Sequence, residues 1–267
     1  MATPSSDIMA QTASDAMLPH QSLNEDGKAT ILFIHGACVD SNDWDLVVPY
    51  MHNYHLLLPD SPGHGRSSHL RFSIKSSAQQ IAYLIRTKAI TGRAHVVGHS
   101  LGAKIAIRLA IDFPDIVLST FISDYSDMPV SSAPILPYFF WLMNRVENAV
   151  PRPAIRWLMD GTDLRPLSST SLSLCKDIAS PEKFELTPWA AKTLIIVAGK
   201  GGLIPSSDSA DAARRLLKVG KEGNAKTVAF VHPAMRHPWN RQDPVLWAGT
   251  VIAWIEEEDL PSEFVSL

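Results

Sequence analysis

The strongest local signal for chemistry in this chain is Gly98-His99-Ser100-Leu101-Gly102. A serine with glycine two positions before and two after fits a turn too sharp for larger neighbours. Such a turn lifts the hydroxyl above the end of a strand. It also sets the hydroxyl at a helix N-terminus, where the helix dipole favours negative charge. The flanking sequence supplies that setting, since residues 94–97 read as a buried strand and 103–111 as an apolar helix. Ser100 is therefore the candidate nucleophile, against the plainer reading of a turn with a capping serine. Two other patterns point nowhere. Gly199–Gly202 lacks the Lys-Ser/Thr ending of a phosphate loop. Cys38 and Cys175, 137 positions apart, form neither a metal motif nor a disulfide framework and read as thiols in a reducing compartment.

The elements that must position Ser100 are legible from periodicity. Short continuous apolar runs at 29–35, 55–59, 94–97, 118–123, 192–198 and 227–231 fit strands buried on both faces. Between them, apolar residues at helical spacing predict helices at 42–51, 73–90, 103–111, 207–219 and 244–257. Alternation of this kind predicts an α/β fold, a mostly parallel sheet with helices on both faces. The rhythm breaks between 128 and 187, a stretch rich in proline with an aromatic cluster at Tyr138–Trp141 and helical spacing near 139–150 and 153–160. The expected organisation is a polar tail at 1–28, a core of 29–127 and 188–267, and an inserted helical cap at 128–187.

Four ordered segments then give a resemblance. They are His35-Gly36 after a strand with Trp44 following, Asp60-Ser-Pro-Gly-His-Gly-Arg-Ser67, the Gly98–Gly102 turn, and Met235-Arg-His237-Pro-Trp before the last helix. In order and spacing the chain resembles the α/β-hydrolase superfamily across 29–127 and 188–258. The resemblance implies that Ser100 attacks a carbonyl and that His237 acts as general base and then acid. It implies an oxyanion hole from the backbone N–H groups of Ala37 and Leu101. His232 is the rival base. His237 is preferred because it sits in the loop after the strand rather than at the strand's end. His35, His64 and His99 read as hydrogen-bonding residues around the loops.

The acid departs from the commoner pattern. Gly202 stands where most relatives carry the aspartate, in Gly199-Lys-Gly-Gly202. Some relatives, such as haloalkane dehalogenases and certain fungal lactone hydrolases, place the acid one strand earlier, and here Asp124 follows that strand. Asp124 is the expected acid, with Asp127 a near rival and Asp208 a remote one. A base with an unperturbed pKa implies an acid limb near 6–7.

In the cap, an aromatic lining over Ser100 is expected from Tyr138, Phe139, Phe140 and Trp141, which favours a bulky hydrophobic group on a small-molecule ester or lactone. Carbon–carbon bond hydrolysis, lyase or acyltransferase chemistry on the same triad, and a low-turnover ligand receptor, remain open alternatives. The resemblance implies no metal and no organic cofactor. Net charge of −3, without a basic stripe, argues against a nucleic-acid partner. No apolar run reaches the roughly 20 residues of a membrane span. No secretory signal is recognisable, so a cytoplasmic protein is expected, with a homodimer left open.

Overall fold

The computed structural model describes residues 17–126, 135–167, 170–180, 185–200 and 208–267. The first sixteen residues of the expected tail, Asp127 and Gly202 lie outside the described residues.

Eight strands form one sheet: β1 (His20–Leu23), β2 (Thr30–Ile34), β3 (His55–Pro59), β4 (Ala94–His99), β5 (Val117–Ser123), β6 (Lys192–Ala198), β7 (Val228–His232) and β8 (Val265–Ser266). Their spatial order is β1-β3-β2-β4-β5-β6-β7-β8. The six inner strands run parallel, and β1 and β8 close the two edges antiparallel. Both edge strands fall in stretches too polar to stand out as buried runs. In the expected tail, β1 pairs with β3 from His20↔Pro59 to Leu23↔Leu56, and Leu18 is fully buried.

Side chains alternate between two apolar layers, as the pleat requires. Leu32 and Ile34 face one side, with α1 (Ile74–Lys88), α2 (Leu101–Asp112) and the later helix Ala210–Gly223. Ile31 and Phe33 face the other, with Trp44, Trp239 and Trp247. Each fully buried Leu, Ile or Phe contributes about 1.5–3 kcal/mol, so a shift of register by one residue would forfeit both layers. Local signals set the helix starts. Ser73 accepts from the N–H of Ser76 at 3.0 Å to cap α1. Asp243 accepts from Leu246 at 2.9 Å to cap the closing helix, Pro244–Glu256. The helix expected at 42–51 is instead two short 3-10 turns, Ser41–Trp44 and Val48–Tyr50.

Between β5 and β6 the described chain carries α3 (Leu136–Ala149), α4 (Arg152–Leu158) and α5 (Leu172–Ile178). After β6 come α6 (Ala210–Gly223), the short α7 (Trp239–Gln242) and α8 (Pro244–Glu256). The parallel strands therefore direct their C-terminal ends, Ile34, His99, Ser123, Ala198 and His232, toward one edge of the sheet.

Candidate active site

Ser100 stands at the junction of β4 and α2 with φ 56° and ψ −114°. A non-glycine residue held at positive φ marks strain that the surroundings must enforce. Crowding enforces it here. A Cβ at Gly98 would lie 2.5 Å from the carbonyl oxygen of Gly102, and one at Gly102 would lie 2.1 Å from that of Ile34. The Ser100 N–H donates to the carbonyl of Ser123 at 2.9 Å, which fixes the turn against β5. Leu101, the first residue of α2, has its N–H among the unpaired donors of the first helical turn.

His237 lies in the loop between β7 and α7, and its Nδ1 bonds to Asp208 Oδ1 at 2.6 Å. The Asp208 side chain is 2% exposed and that of His237 is 35% exposed. Burial pulls the imidazole pKa down, but the hydrogen bond and charge of Asp208 outweigh it and raise the pKa to about 9. With Nδ1 committed to Asp208, Nε2 is left for the cavity. Ser100 and His237 line the same two cavities. Among the described residues no hydrogen bond joins them, a contact that commonly tightens only around substrate.

The geometry corrects the expected partner of His237. Asp124 does emerge at the correct sheet edge, but it turns inward with φ 58°. Its Oδ1 accepts from the N–H of Ala198 at 2.7 Å and its Oδ2 from the Ser123 hydroxyl at 2.5 Å. Its Oδ2 is 3.5 Å from Nδ1 of His99, whose ring packs 4.9 Å from that of His237. Complete burial, reinforced by the nearby charge of Asp208, raises the Asp124 pKa well above the usual carboxylate range. Burial thus disfavours the charged form of Asp124 beneath the site, and Asp208 is the carboxylate in direct contact with the imidazole. Asp208 was the remote candidate because it lies six residues beyond the glycine in the usual position. Asp124, Asp208 and His237 bring ligand-type atoms within 4.8 Å of one another. Asp124 offers a cation little, since both its oxygens already accept hydrogen bonds.

The loop after β2 carries Gly36 and Ala37 to the cavity wall. A Cβ at Gly36 would lie 3.4 Å from Cβ of Ser100, so this backbone passes close over the serine. The Asp60–Ser67 segment explains how the loop is held. Asp60 accepts from the N–H of Ser41 at 3.0 Å and from Arg66 Nε at 2.7 Å, while His35 Nε2 accepts from the N–H of Ser61 at 3.0 Å. His232 sits at the end of β7 and packs edge-on against Phe264, 5.0 Å between ring centres. It is absent from the lining of both cavities.

The two cavities that meet at Ser100 differ in character. One, about 370 Å³, includes Asp43, Arg165 and Arg236. The other, about 560 Å³, is walled by Phe140, Met143 and Ile178 from α3 and α5. Of the four aromatic residues expected to line it, Phe140 does and Tyr138, Phe139 and Trp141 do not. Tyr138 and Phe139 are about half exposed at 49% and 54%. Lys176 lies over the Tyr138 ring at 5.4 Å, and Arg145 covers the Trp141 ring at 5.2 Å. The inward face of α3 runs through 140, 143, 144 and 147, the spacing of one helical stripe. Among the described residues no helix is long and apolar enough to cross a membrane.

Comparison with known proteins agrees with this fold. The family model described as "Alpha/beta hydrolase family" matches residues 31–259. A Gibberella zeae protein described as an AB hydrolase superfamily protein is 37% identical over 244 residues, covering 89% of this chain and 84% of that protein. Among solved structures, an esterase from Thermogutta terrifontis superposes with TM-score 0.66 at 16% identity, covering 90% of this chain and 93% of that one. A putative lipase from Acinetobacter baumannii gives 0.64 at 20% identity, covering 96% and 97%.

Proposed function

This chain belongs to the α/β-hydrolase family, and from that premise we propose that it hydrolyses a largely apolar carboxylic ester or lactone through Ser100, His237 and Asp208. The observation that carries the reading is the 2.6 Å contact of Asp208 with His237 Nδ1, behind a serine held at positive φ in a shared cavity.

In this reading Ser100 Oγ adds to the carbonyl carbon while its proton passes to Nε2 of neutral His237. The carbonyl electron pair moves onto oxygen, where the N–H groups of Leu101 and Ala37 receive it. As the pair returns, the bond to the leaving alkoxide breaks and His237 supplies its proton. Water then repeats the sequence on the acyl-enzyme and releases the acid. Asp208 keeps the proton on Nδ1 and stabilises the imidazolium. The residues 136–178 serve as the cap, with the 560 Å³ cavity taking the apolar part of the substrate.

A fluorophosphonate probe tests this directly. It should label Ser100 alone, read by peptide mass spectrometry, and block turnover of a short aryl ester. With an added alcohol, the free acid should remain the main product. A folded protein that is labelled elsewhere, or not at all, rules the reading out.

A further inference from the structure

The inward stripe of α3 starts apolar, with Phe140 and Met143, and ends polar, with Asn144 and Glu147. Buried polar side chains in a wall otherwise built for packing call for a partner. Asn144 is only 4% exposed, and its Nδ2 has no hydrogen-bond partner. Its Oδ1 accepts from Asn148 Nδ2 at 3.4 Å, one helical turn on. That contact sets the amide orientation and leaves the two Nδ2 protons for the cavity. Glu147, three positions further along α3, lines both cavities that meet at Ser100. Burial raises its pKa, which favours a neutral carboxyl able to donate as well as accept.

A plain alkanoyl chain would fill the space beside Phe140, Met143 and Ile178 but leave the buried Asn144 Nδ2 without a hydrogen-bond partner. A chain with an oxygen acceptor would satisfy it. A site built to hydrogen-bond a substrate group discriminates against analogues that lack it, because its own donor is then left bare. Lys104, Glu147 and Asp208 also line this cavity, so esters ending in a charge serve as controls for the neutral acceptor.

We propose that Asn144, assisted by Glu147, forms a polar subsite that recognises a second carbonyl oxygen, keto or amide, on the acyl portion of the substrate. This rests on the reading of Ser100 as nucleophile and names the substrate class within it. The natural substrate is then an oxoacyl or acylamino ester or lactone, not a simple fatty acyl ester. Asn144 is a specificity-determining residue, and bond cleavage does not pass through it.

The test uses aryl esters of equal chain length: a plain alkanoate, a series with a keto group moved stepwise along the chain, an amide analogue, and versions ending in a carboxylate or an ammonium. At one keto position kcat/KM should exceed that of the alkanoate by about two- to tenfold, the range of one hydrogen bond. Asn144→Leu, similar in size but without the donor, should bring that ratio to one or below, mainly through KM. Asn144→Asp should lower the keto preference and raise relative turnover of the ammonium ester. Ratios within one protein are insensitive to partial misfolding of a variant. Calorimetric binding of the keto ester and the alkanoate to Ser100→Ala should reproduce the preference without turnover. The subsite is overturned if no keto position is preferred, if Asn144→Leu leaves the ratio unchanged, or if the carboxylate or ammonium ester is the best substrate. Failure of the hydrolase reading looks different: Ser100 escapes the fluorophosphonate probe while the binding preference persists.

Discussion

The two walls of the cavity are built on different principles. The wall carrying Ser100, His237 and Asp208 hangs from the ends of β4, β7 and β6, with backbone ladders on both sides of each strand. The facing wall is the two helices α3 and α5, and α3 leaves apolar side chains on its outer side, with Leu142 at 54% exposed. The first wall tolerates little displacement, because each residue is tied to its neighbours by hydrogen bonds under 3 Å. The second wall presents one stripe of a helix, so its residues set what fits and leave the reaction to the other side. In the proposed reading, chemistry belongs to the sheet edge and selection to the helices between β5 and β6.

Ser100→Ala should break the first wall most severely. Turnover should fall by roughly 10³-fold or more, since members of such a unit act together, with an unchanged melting temperature. Retention of near-full turnover would remove the sheet edge from the chemistry.

Asp208→Asn comes next. It keeps shape but removes the charge behind His237, and should lower kcat by roughly 10²–10⁴-fold. Asp124→Asn changes a side chain held by Ala198 and Ser123 and not bonded to His237, so a loss under about tenfold is expected, within the scale of one or two hydrogen bonds. A silent Asp208→Asn beside a crippling Asp124→Asn would reverse the assignment of the two aspartates.

The pH profile gives a third, smaller effect. His237 must lose its proton to act as base, and its pKa is raised to about 9. Below that value kcat/KM should climb with pH, by about tenfold per unit, instead of levelling near 6–7 as an unperturbed imidazole would. Asp208→Asn removes the main raising influence, so the acid limb should move to lower pH even as the maximum falls. A limb that stays in place would detach Asp208 from the base.

Substitutions on the facing wall should act on selection. Phe140→Ala should cost large acyl substrates about 1–3 kcal/mol of binding, roughly 5- to 150-fold in KM, and small acetates much less. Phe139→Ala, one position away but pointing outward, should change either substrate by less than about twofold and stability by under about 0.5 kcal/mol. Equal effects of the two variants would erase the distinction between the faces of α3.

Much of the sheet edge was legible because its signals are local. Apolar runs gave the six inner strands to within a residue or two at most ends, and the Gly-x-Ser-x-Gly spacing located the strained turn. The facing wall was less legible. An aromatic cluster announces a helix but not its phase, and Tyr138, Phe139 and Trp141 proved to lie off the inward stripe that Phe140 begins. The edge strands β1 and β8 carry no buried run, so nothing local announced them.

By itself, then, the sequence determined the alternating architecture, the strained turn at Ser100 and the loop after β7 that brings His237 to the same cavities. Each depends on spacing within a few residues. Tertiary structure placed Asp208, not Asp124, against His237 Nδ1, while Asp124 is held by Ala198 and Ser123 where burial disfavours its charge. It also brought Cys38 and Cys175 onto one cavity across 137 positions, beside an asparagine whose unpaired amide only the folded cap reveals. Side-chain partners that are distant in sequence follow from which backbone donors lie nearest in space, and only the packed sheet and helices fix that.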